Sequence, residues 1–372
     1  MNKQTLSFTI LISLVFCLAI NEAFAQHFPE KPVAQLAEEG TRQWVWSLAF
    51  SPDGRMLVLS SGPWGGGENR LGLWDVVTHK QVVALDVYGG GFRAAEHFAF
   101  SPDGRFLTAE QSADTGPVHF LWDIVEQKEI PGPFRLLTFS SDGETFAMGA
   151  IFEPVRLWDA TEQRDIAFLE GYETYSEVTS VAFSPDGTTF ATELWDGTVR
   201  LWDVVELQEN PWEQQELAVL EGGAGSVFSP AISFSPDGKT LASVAGDNML
   251  HLWDVAEQQQ VGVLDDVRYY AFSADGKTLA VEGVDSVVLW DIDNQQEITG
   301  LPKERAAQFA FSPDGKTFAT AVESGKIRLW DVVEQKEIAV LEGHTNQVKI
   351  LVFSPDSRTL AWAEGISGDG VT

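Results

Sequence analysis

The residues that could do chemistry in this chain are numerous, but none forms an arrangement typical of catalysis. The six histidines stand apart from one another, and no HExxH or G-x-S-x-G motif is present. They are His27, His79, His97, His119, His251 and His344. The chain has one cysteine, Cys17, which removes disulfides and cysteine-based metal sites from consideration. These residues predict a protein that is not an enzyme.

Carboxylates are the largest group of reactive side chains, with 55 Asp and Glu residues. Most of them recur at the same turn positions along the chain, whereas a catalytic site should break a repeated pattern in one copy. The segment with Asp291 and Asp293 hints at calcium, but it lacks the glycine of an EF-hand loop. We therefore expect no metal and no cofactor.

The elements that would position any site are copies of one segment. A turn of the type Phe-Ser-x-Asp-Gly begins at Phe50, Phe100, Phe139, Phe183, Phe234, Phe272, Phe311 and Phe353. Between these turns, Leu-Trp-Asp recurs with its last two residues at Trp74 and Asp75, Trp122 and Asp123, Trp158 and Asp159, Trp202 and Asp203, Trp253 and Asp254, Trp290 and Asp291, and Trp330 and Asp331. We interpret these residues as structural, because what recurs in every copy serves the scaffold. Repetition at this period is typical of architectures in which each unit buries its apolar faces against its neighbours.

Each copy has the pattern of a short antiparallel sheet. In the turn, proline fixes φ at the first corner and glycine supplies the positive φ that closes the hairpin. In one copy we predict strand a at 178–183, strand b at 188–192 and strand c at 198–202. The example of strand d comes from a later copy, at 337–341. Because strand residues alternate between faces, Leu201 and Trp202 should point in opposite directions, so both sheet faces should be covered.

The two motifs together resemble those of the WD-repeat β-propeller family, in a degenerate form of secreted bacterial type. The resemblance covers essentially all of the chain after residue 40 and implies an all-β propeller with blades of four antiparallel strands. The Gly-His dipeptide of that family survives only at Gly343 and His344. The buried Asp-His-Ser/Thr-Trp network that the resemblance implies should therefore be mostly absent.

The repeat count predicts seven complete units and an incomplete eighth. A d-like segment at 32–37 precedes the first unit, and the eighth has only strand a at 347–353 and strand b at 359–363. The chain stops where another strand c would begin, so we expect a truncated sequence. We favour eight blades, the last one closed by the segment at 32–37. A ring of seven with spare strands at its ends is the alternative.

Residues 1–25 have the pattern of a Sec signal peptide, with Lys3, an apolar run at 6–20 and the Ala23-Phe24-Ala25 cleavage triplet. We predict cleavage between Ala25 and Gln26, a secreted or periplasmic protein, and a propeller spanning 26–372. The net charge of −31 disfavours nucleic acid and anionic membranes as partners. We expect no stable membrane anchor and a monomer.

Function should lie where the copies disagree. The a–b turns are nearly uniform, whereas the d–a and b–c loops vary in length and carry aromatic residues, the common anchors of binding surfaces. The candidate partner-binding residues are Trp64, Tyr88, Phe92, Tyr172, Tyr175 and Trp195. One irregular segment, at 206–216, belongs to the opposite end of the sheets.

We expect a non-catalytic scaffold in the cell envelope or outside the cell, which binds protein or peptide partners through this loop-rich face. The alternative is a sensing or substrate-presenting propeller of a longer protein, with an effector or enzymatic domain beyond residue 372. A weaker alternative is a hydrolase or carbohydrate-binding propeller. It would require side chains that depart from the repeat at one end of the axial channel.

Overall fold

The structure is a computed structural model. It describes residues 12–16, 34–36, 44–62, 70–86, 95–113, 116–134, 136–149, 154–162, 164–169, 178–194, 196–210, 216–222, 232–244, 249–283, 286–298, 301, 306–322, 326–341 and 348–364. Among these residues the secondary structure is almost entirely β, as the sequence predicts. No helix among them is long and apolar enough to span a membrane.

The first strands in chain order are β1 (Ile12–Phe16), β2 (Ala34–Leu36), β3 (Trp44–Phe50), β4 (Met56–Gly62), β5 (Arg70–Asp75), β6 (Lys80–Asp86), β7 (Ala95–Phe100), β8 (Phe106–Ala113), β9 (Gly116–Asp123) and β10 (Lys128–Phe134). There follow β11 (Leu136–Phe139), β12 (Thr145–Gly149), β13 (Val155–Asp159), β14 (Arg164–Leu169), β15 (Val178–Phe183), β16 (Thr189–Leu194), β17 (Thr198–Asp203), the helix α1 (Val204–Glu209) and β18 (Glu216–Glu221). The remaining strands are β19 (Ile232–Phe234), β20 (Thr240–Val244), β21 (Leu250–Asp254), β22 (Gln259–Leu264), β23 (Tyr269–Phe272), β24 (Thr278–Glu282), β25 (Val287–Asp291), β26 (Gln296–Ile298), β27 (Ala306–Phe311), β28 (Thr317–Val322), β29 (Ile327–Asp331), β30 (Lys336–Leu341), β31 (Val348–Phe353) and β32 (Thr359–Glu364).

The strands form four-stranded antiparallel sheets, which confirms the expected all-β propeller class with blades of four strands. Seven sheets are each built from four consecutive strands, such as β15-β16-β17-β18 and β19-β20-β21-β22. In each, the strands follow the order a, b, c, d that the repeat predicts, so strand d is the outer strand.

The preference for eight blades over seven is not supported. The remaining four-stranded sheet has the order β2-β1-β32-β31, and it is not made of consecutive strands. The place of strand c beside β32 is taken by β1, at Ile12–Phe16, inside the segment predicted to be the signal peptide. The reason for this composition is that no strand c follows β32 among the described residues.

The chain divides into two compact units. The first comprises residues 1–100, 109–117 and 304–372, and it contains the β3–β6 and β27–β30 sheets and the composite sheet of β1, β2, β31 and β32. In this unit, Leu48 and Leu57 of the β3–β6 sheet pack on Ala361 and Ala363 of β32.

The second unit comprises residues 101–108 and 118–303, and it contains the four sheets from β11 to β26. The alternation predicted for strand c is confirmed there. Leu201 packs with Phe234 and Trp253 of the β19–β22 sheet. Its neighbour Trp202 packs on the other side, with Leu157 of the β11–β14 sheet. Each sheet is thus buried on both faces, which explains why no single repeat could be stable alone.

Part of the expected family network survives without its histidine. The indole Nε1 of Trp202 donates to Thr192 Oγ1 at 3.1 Å, and that of Trp253 donates to Ser243 Oγ at 3.0 Å. Both bonds join strand c to strand b inside the sheet. They satisfy buried indole groups that would otherwise lie unpaired in an apolar seam.

Two sequence predictions of detail are corrected by the structure. Strand b continues to Leu194, beyond the predicted end at 192, because Glu193 pairs with Val199 of strand c and Leu194 pairs with Val178 of strand a. The irregular segment at 206–216 begins as the helix α1, which the repeat pattern did not predict. Asp203 caps the helix by accepting a hydrogen bond from the backbone N–H of Glu206 at 3.0 Å. The buried side chains of the helix are Val204 and Leu207.

Candidate functional site

All six predicted partner-binding residues lie outside the described residues. They are Trp64, Tyr88, Phe92, Tyr172, Tyr175 and Trp195. Their assignment to a binding surface therefore stays a prediction. The described residues nevertheless include both ends of the strands that these loops connect. We call the a–b turns of the sheets the turn end, and the opposite end, where strand a begins and strand b finishes, the loop end.

The turn end is a repeated hydrogen-bonded unit whose polar groups bind one another. In the turn of the β19–β22 sheet, Ser235 Oγ donates to Asp237 Oδ1 at 2.7 Å and accepts the N–H of Thr240 at 2.9 Å. The Asp237 carboxylate also accepts the N–H of Lys239. The same Ser–Asp bond occurs at Ser51, Ser101, Ser140, Ser184, Ser273, Ser312 and Ser354.

This arrangement has electrostatic consequences that fit a structural role. The hydrogen bond from the Ser184 hydroxyl holds the pKa of Asp186 below its ordinary value, and the bond from Ser51 does the same for Asp53. Carboxylates held in the ionised form, with their acceptor sites already used, have little capacity to exchange protons near neutral pH. Asp53 and Asp186 therefore serve to stabilise their turns.

The loop end of the second unit contains a different group, centred on Glu193 at the end of strand b. This side chain is 3% exposed. Its carboxylate oxygen Oε2 accepts a hydrogen bond from Thr179 Oγ1 at 3.3 Å. Arg200, on the adjacent strand c, forms its ion pair with Glu216 and not with Glu193. Burial raises the pKa of Glu193 to about 7, against a small opposing effect of the Thr179 hydroxyl.

The half-buried Tyr270 lies in the same part of this unit. The hydroxyl of Tyr270 accepts a hydrogen bond from Ser233 Oγ at 3.0 Å and donates to the carbonyl oxygen of Ala242 at 3.4 Å. Burial is the main cause that raises the pKa of Tyr270, and the charge of Glu193 adds to it. Tyr270 and Glu193 therefore act on each other electrostatically although they belong to different sheets.

A buried histidine without a hydrogen bond faces the seam between the β15–β18 and β19–β22 sheets. His251 is 8% exposed, and neither ring nitrogen has a hydrogen-bond partner. Its ring stacks on Trp253, which packs with Ala191 in this seam. Because residues two apart in a strand share a face, His251 and Glu193 both point into it.

Sequence reasoning missed this group because it looked for departures from the repeat in the loops and not in the strands. A signal was available. The place of Glu193 at the end of strand b differs between copies: it is Gly149 in β12 and Val244 in β20, but a glutamate at Glu110 in β8 and at Glu282 in β24.

Among the described residues, the arrangement can bind through its polar groups and can exchange a proton at Glu193. No described hydroxyl is activated by a histidine. Within the described ranges, no group of three or more His, Cys, Asp or Glu side chains could hold a metal ion. The loop end is therefore a set of polar and titratable groups that departs from the repeat, next to the loops where the predicted binding residues lie.

Comparisons with known proteins agree with the repeat. The family model described as "WD domain, G-beta repeat" matches residues 30–75, 164–203 and 214–254. A second model, the WD40 domain of anaphase-promoting complex subunit 4, matches residues 270–364. The two models together cover most of the chain between residues 30 and 364.

Several curated proteins are similar over part of their length. WD repeat-containing protein VIP3 of Arabidopsis thaliana is 31% identical over 40% of this chain and 54% of its own length. Cell division cycle 20.5, cofactor of APC complex, from the same plant is 24% identical over 67% of this chain and 59% of its own length. An uncharacterized WD repeat-containing protein of Synechocystis, sll1491, is 29% identical over 34% of this chain and 38% of its own. The chain thus spans between 38% and 59% of the length of these relatives.

Among solved structures, the computationally designed Ika8 protein matches with a TM-score of 0.61. The match is 21% identical and covers 87% of this chain and 97% of the designed one, which shows a likeness of fold alone. With the repeated Ser–Asp turns, the Trp–Asp strand ends and the family models in agreement, the chain belongs to the WD-repeat β-propeller family.

Proposed function

We propose that this protein is a non-catalytic scaffold that binds protein or peptide partners through the loop end of its sheets. One observation carries the proposal. The Ser–Asp pairs of the turn end are the same in every copy and bind one another, whereas the loop end of the second unit carries buried polar groups that differ between copies, such as Glu193 and Tyr270. WD-repeat proteins in general bind protein partners, which supports the coarse form of this proposal.

The charge of the chain supports a partner that is basic and not a nucleic acid. A net charge of −31 repels phosphate backbones and favours proteins with lysine- and arginine-rich surfaces. We therefore expect binding to weaken as salt increases, because long-range attraction is screened within about 8 Å at 0.15 M ionic strength.

We also propose that the protein acts outside the cytoplasm as a monomer, without a stable membrane anchor. The support is the predicted signal peptide at residues 1–25. The N-terminal residue of the protein recovered from the source cells tests this: Gln26 is expected in the secreted or periplasmic fraction. Recovery of the chain with Met1 or Asn2 at its N-terminus in the cytoplasm would refute the location. Sedimentation velocity measures the oligomeric state, and a single monomeric species is expected.

The experiment that tests the binding surface is a quantitative capture from the envelope or secreted fraction. We compare the wild type with the triple variant Trp64→Ala, Tyr172→Ala and Tyr175→Ala. The matched control removes three exposed apolar side chains of the c–d turns, which lie at the same end of the sheets as the a–b turns, in the variant Val77→Ala, Val125→Ala and Val333→Ala. We expect the first variant to lose at least one captured protein that the control retains. If the loop variant retains every partner, this assignment is wrong.

A further inference from the structure

The outer strand β18 differs from the other outer strands of the propeller. In its sheet, β18 pairs only with β17, so its second edge has no neighbouring strand in the sheet order. Two large apolar side chains of this strand are exposed to solvent, Leu217 at 44% and Val219 at 48%. Their exposure alternates with the partial or full burial of Ala218 and Leu220. Leu217 lies at a bulge in the pairing with β17, a feature that β6, β14, β22 and β30 share. An exposed edge with apolar side chains is a template for another strand.

Most of the other outer strands carry features that block such pairing. A lysine or arginine opens β6, β10, β14 and β30, at Lys80, Lys128, Arg164 and Lys336 respectively. In addition, β10 contains Pro131 and Pro133, and β26 has only three residues. In the described chain, β18 is the only outer strand with two large exposed apolar side chains.

Acidic residues frame this edge. The strand begins at Glu216 and ends at Glu221. Arg200 pairs with Glu216, whereas no ion pair among the described residues reaches Glu221. The edge therefore has an apolar centre and a net negative charge at its ends.

This charge pattern decides between a second copy and a different partner. If two β18 strands paired symmetrically in the antiparallel sense, Glu216 of one would lie opposite Glu221 of the other, at both ends of the pair. Like charges directly opposite each other in a ladder are destabilising. Conversely, lysine or arginine at those two places would add favourable cross-strand pairs. A basic strand therefore fits this edge better than a copy of the chain does.

We propose that β18 is a second binding surface, which accepts an antiparallel strand from a protein partner. The partner strand has alternating apolar residues opposite Leu217 and Val219 and a lysine or arginine at each end. Backbone hydrogen bonds to the free edge supply affinity, and the flanking charges supply register and selectivity. This surface is independent of the loop end, so either proposal can fail while the other holds.

The test uses a synthetic hexapeptide, Lys-Thr-Val-Thr-Val-Arg, with both termini blocked, and the full protein. Calorimetry should detect binding of this peptide. A control peptide of the same sequence, in which alternate backbone amides are methylated, should bind with an affinity at least tenfold lower. The variant Val219→Lys, which places a charge on the edge, should lose binding to the same degree. The matched control Val263→Lys puts the same charge on the exposed valine of β22, the outer strand of the next sheet, and should bind as the wild type does.

Several outcomes would overturn the proposal. Equal binding of the methylated peptide would show that no ladder forms. Equal losses in Val219→Lys and Val263→Lys would show nonspecific charge attraction. If the wild type does not bind the peptide at millimolar concentration, and circular dichroism shows that both variants are folded, the proposed site does not exist. A dimer in sedimentation velocity that Val219→Lys dissociates would show that a second copy, and not a basic partner, occupies the edge.

Discussion

The two ends of the sheets in the second unit satisfy their polar groups in different ways. At the turn end, Ser235 and Asp237 bind each other and the local backbone, and equivalent pairs recur in the other sheets. At the loop end, Glu193 is buried like Ser235, whereas Asp237 is exposed, and Glu193 has one long hydrogen bond and no described ion pair. The comparison indicates that one end stabilises the fold, whereas the other end keeps groups whose charge still depends on their surroundings.

The largest effect expected from this comparison is on the pH dependence of stability. Glu193 has a pKa of about 7 in the folded state, above the ordinary value of the unfolded chain. The folded state therefore holds a proton that the unfolded state has released, and stability falls as pH rises from about 4.5 to about 7. The variant Glu193→Gln should be more stable than the wild type by up to about 3 kcal/mol at pH 8 and nearly equal at pH 4.5.

Urea unfolding at the two pH values measures this effect. The control is Glu334→Gln, which removes one charge from an exposed turn and should leave the difference between pH 4.5 and pH 8 unchanged. If Glu193→Gln shows the same pH dependence as the wild type, then Glu193 is not protonated in the folded state.

The next largest effect is the loss of stability when one serine hydroxyl is removed at each end. Ser235→Ala removes the acceptor of the Thr240 N–H and one partner of Asp237, so it should cost about 2 kcal/mol. Ser233→Ala, at the loop end, should cost about 1 kcal/mol or less, because Tyr270 keeps its bond to the carbonyl of Ala242. The free energies of unfolding of the two variants give the comparison. A greater cost at Ser233 than at Ser235 would contradict the stabilising role assigned to the turn end.

A third prediction concerns the close contact of successive turns. Gly276 and Gly238 have φ values of +72° and +73°. Alanine in this left-handed conformation should therefore destabilise the fold equally at both positions. A Cβ at Gly276 would lie 2.7 Å from Asp237 Oδ1, whereas at Gly238 its nearest neighbour would be Pro185 Cδ at 3.7 Å. Gly276→Ala should therefore be less stable than Gly238→Ala by about 1 kcal/mol. Equal thermal unfolding of the two variants would show that Asp237 is free to move, despite its hydrogen bonds.

The smallest expected effect is a change in proton affinity. The Thr179 hydroxyl stabilises the ionised form of Glu193, so Thr179→Val should raise the pKa of Glu193 further. Carbon-detected NMR of the Glu193 carboxyl through a pH titration measures it directly. A pKa that stays unchanged or falls would mean that the 3.3 Å contact does not act as a hydrogen bond.

The sequence predicted the repeat-based features well and the exceptions poorly. Strand a at 178–183 and strand c at 198–202 could be predicted from the alternation of apolar residues and from the Ser-Pro-Asp-Gly turn, because the same local pattern recurs in each copy. The helix α1 was missed since a single irregular connection has no copy to compare with. The eight-blade preference was not supported because a strand count says nothing about which segment occupies the last place beside β32.

The candidate site was predictable only at the level of a region. The sequence indicated the loop-rich end, but burial and the neighbours of Glu193 depend on how the β15–β18 sheet packs on the next sheet, which no local pattern contains. The exposed edge of β18 was hidden for the same reason. A strand with alternating apolar residues looks identical in sequence whether or not another element covers it.

Hydrogen–deuterium exchange, with and without a partner obtained by capture, tests the central claim most directly. If the loop end binds the partner, amides at the starts of β15, β19 and β23 and at the end of β16 should exchange more slowly in the complex. Amides in the turns at 185–188 and 236–239 should be unchanged. Protection confined to those turns, with none at the loop end, would contradict the account.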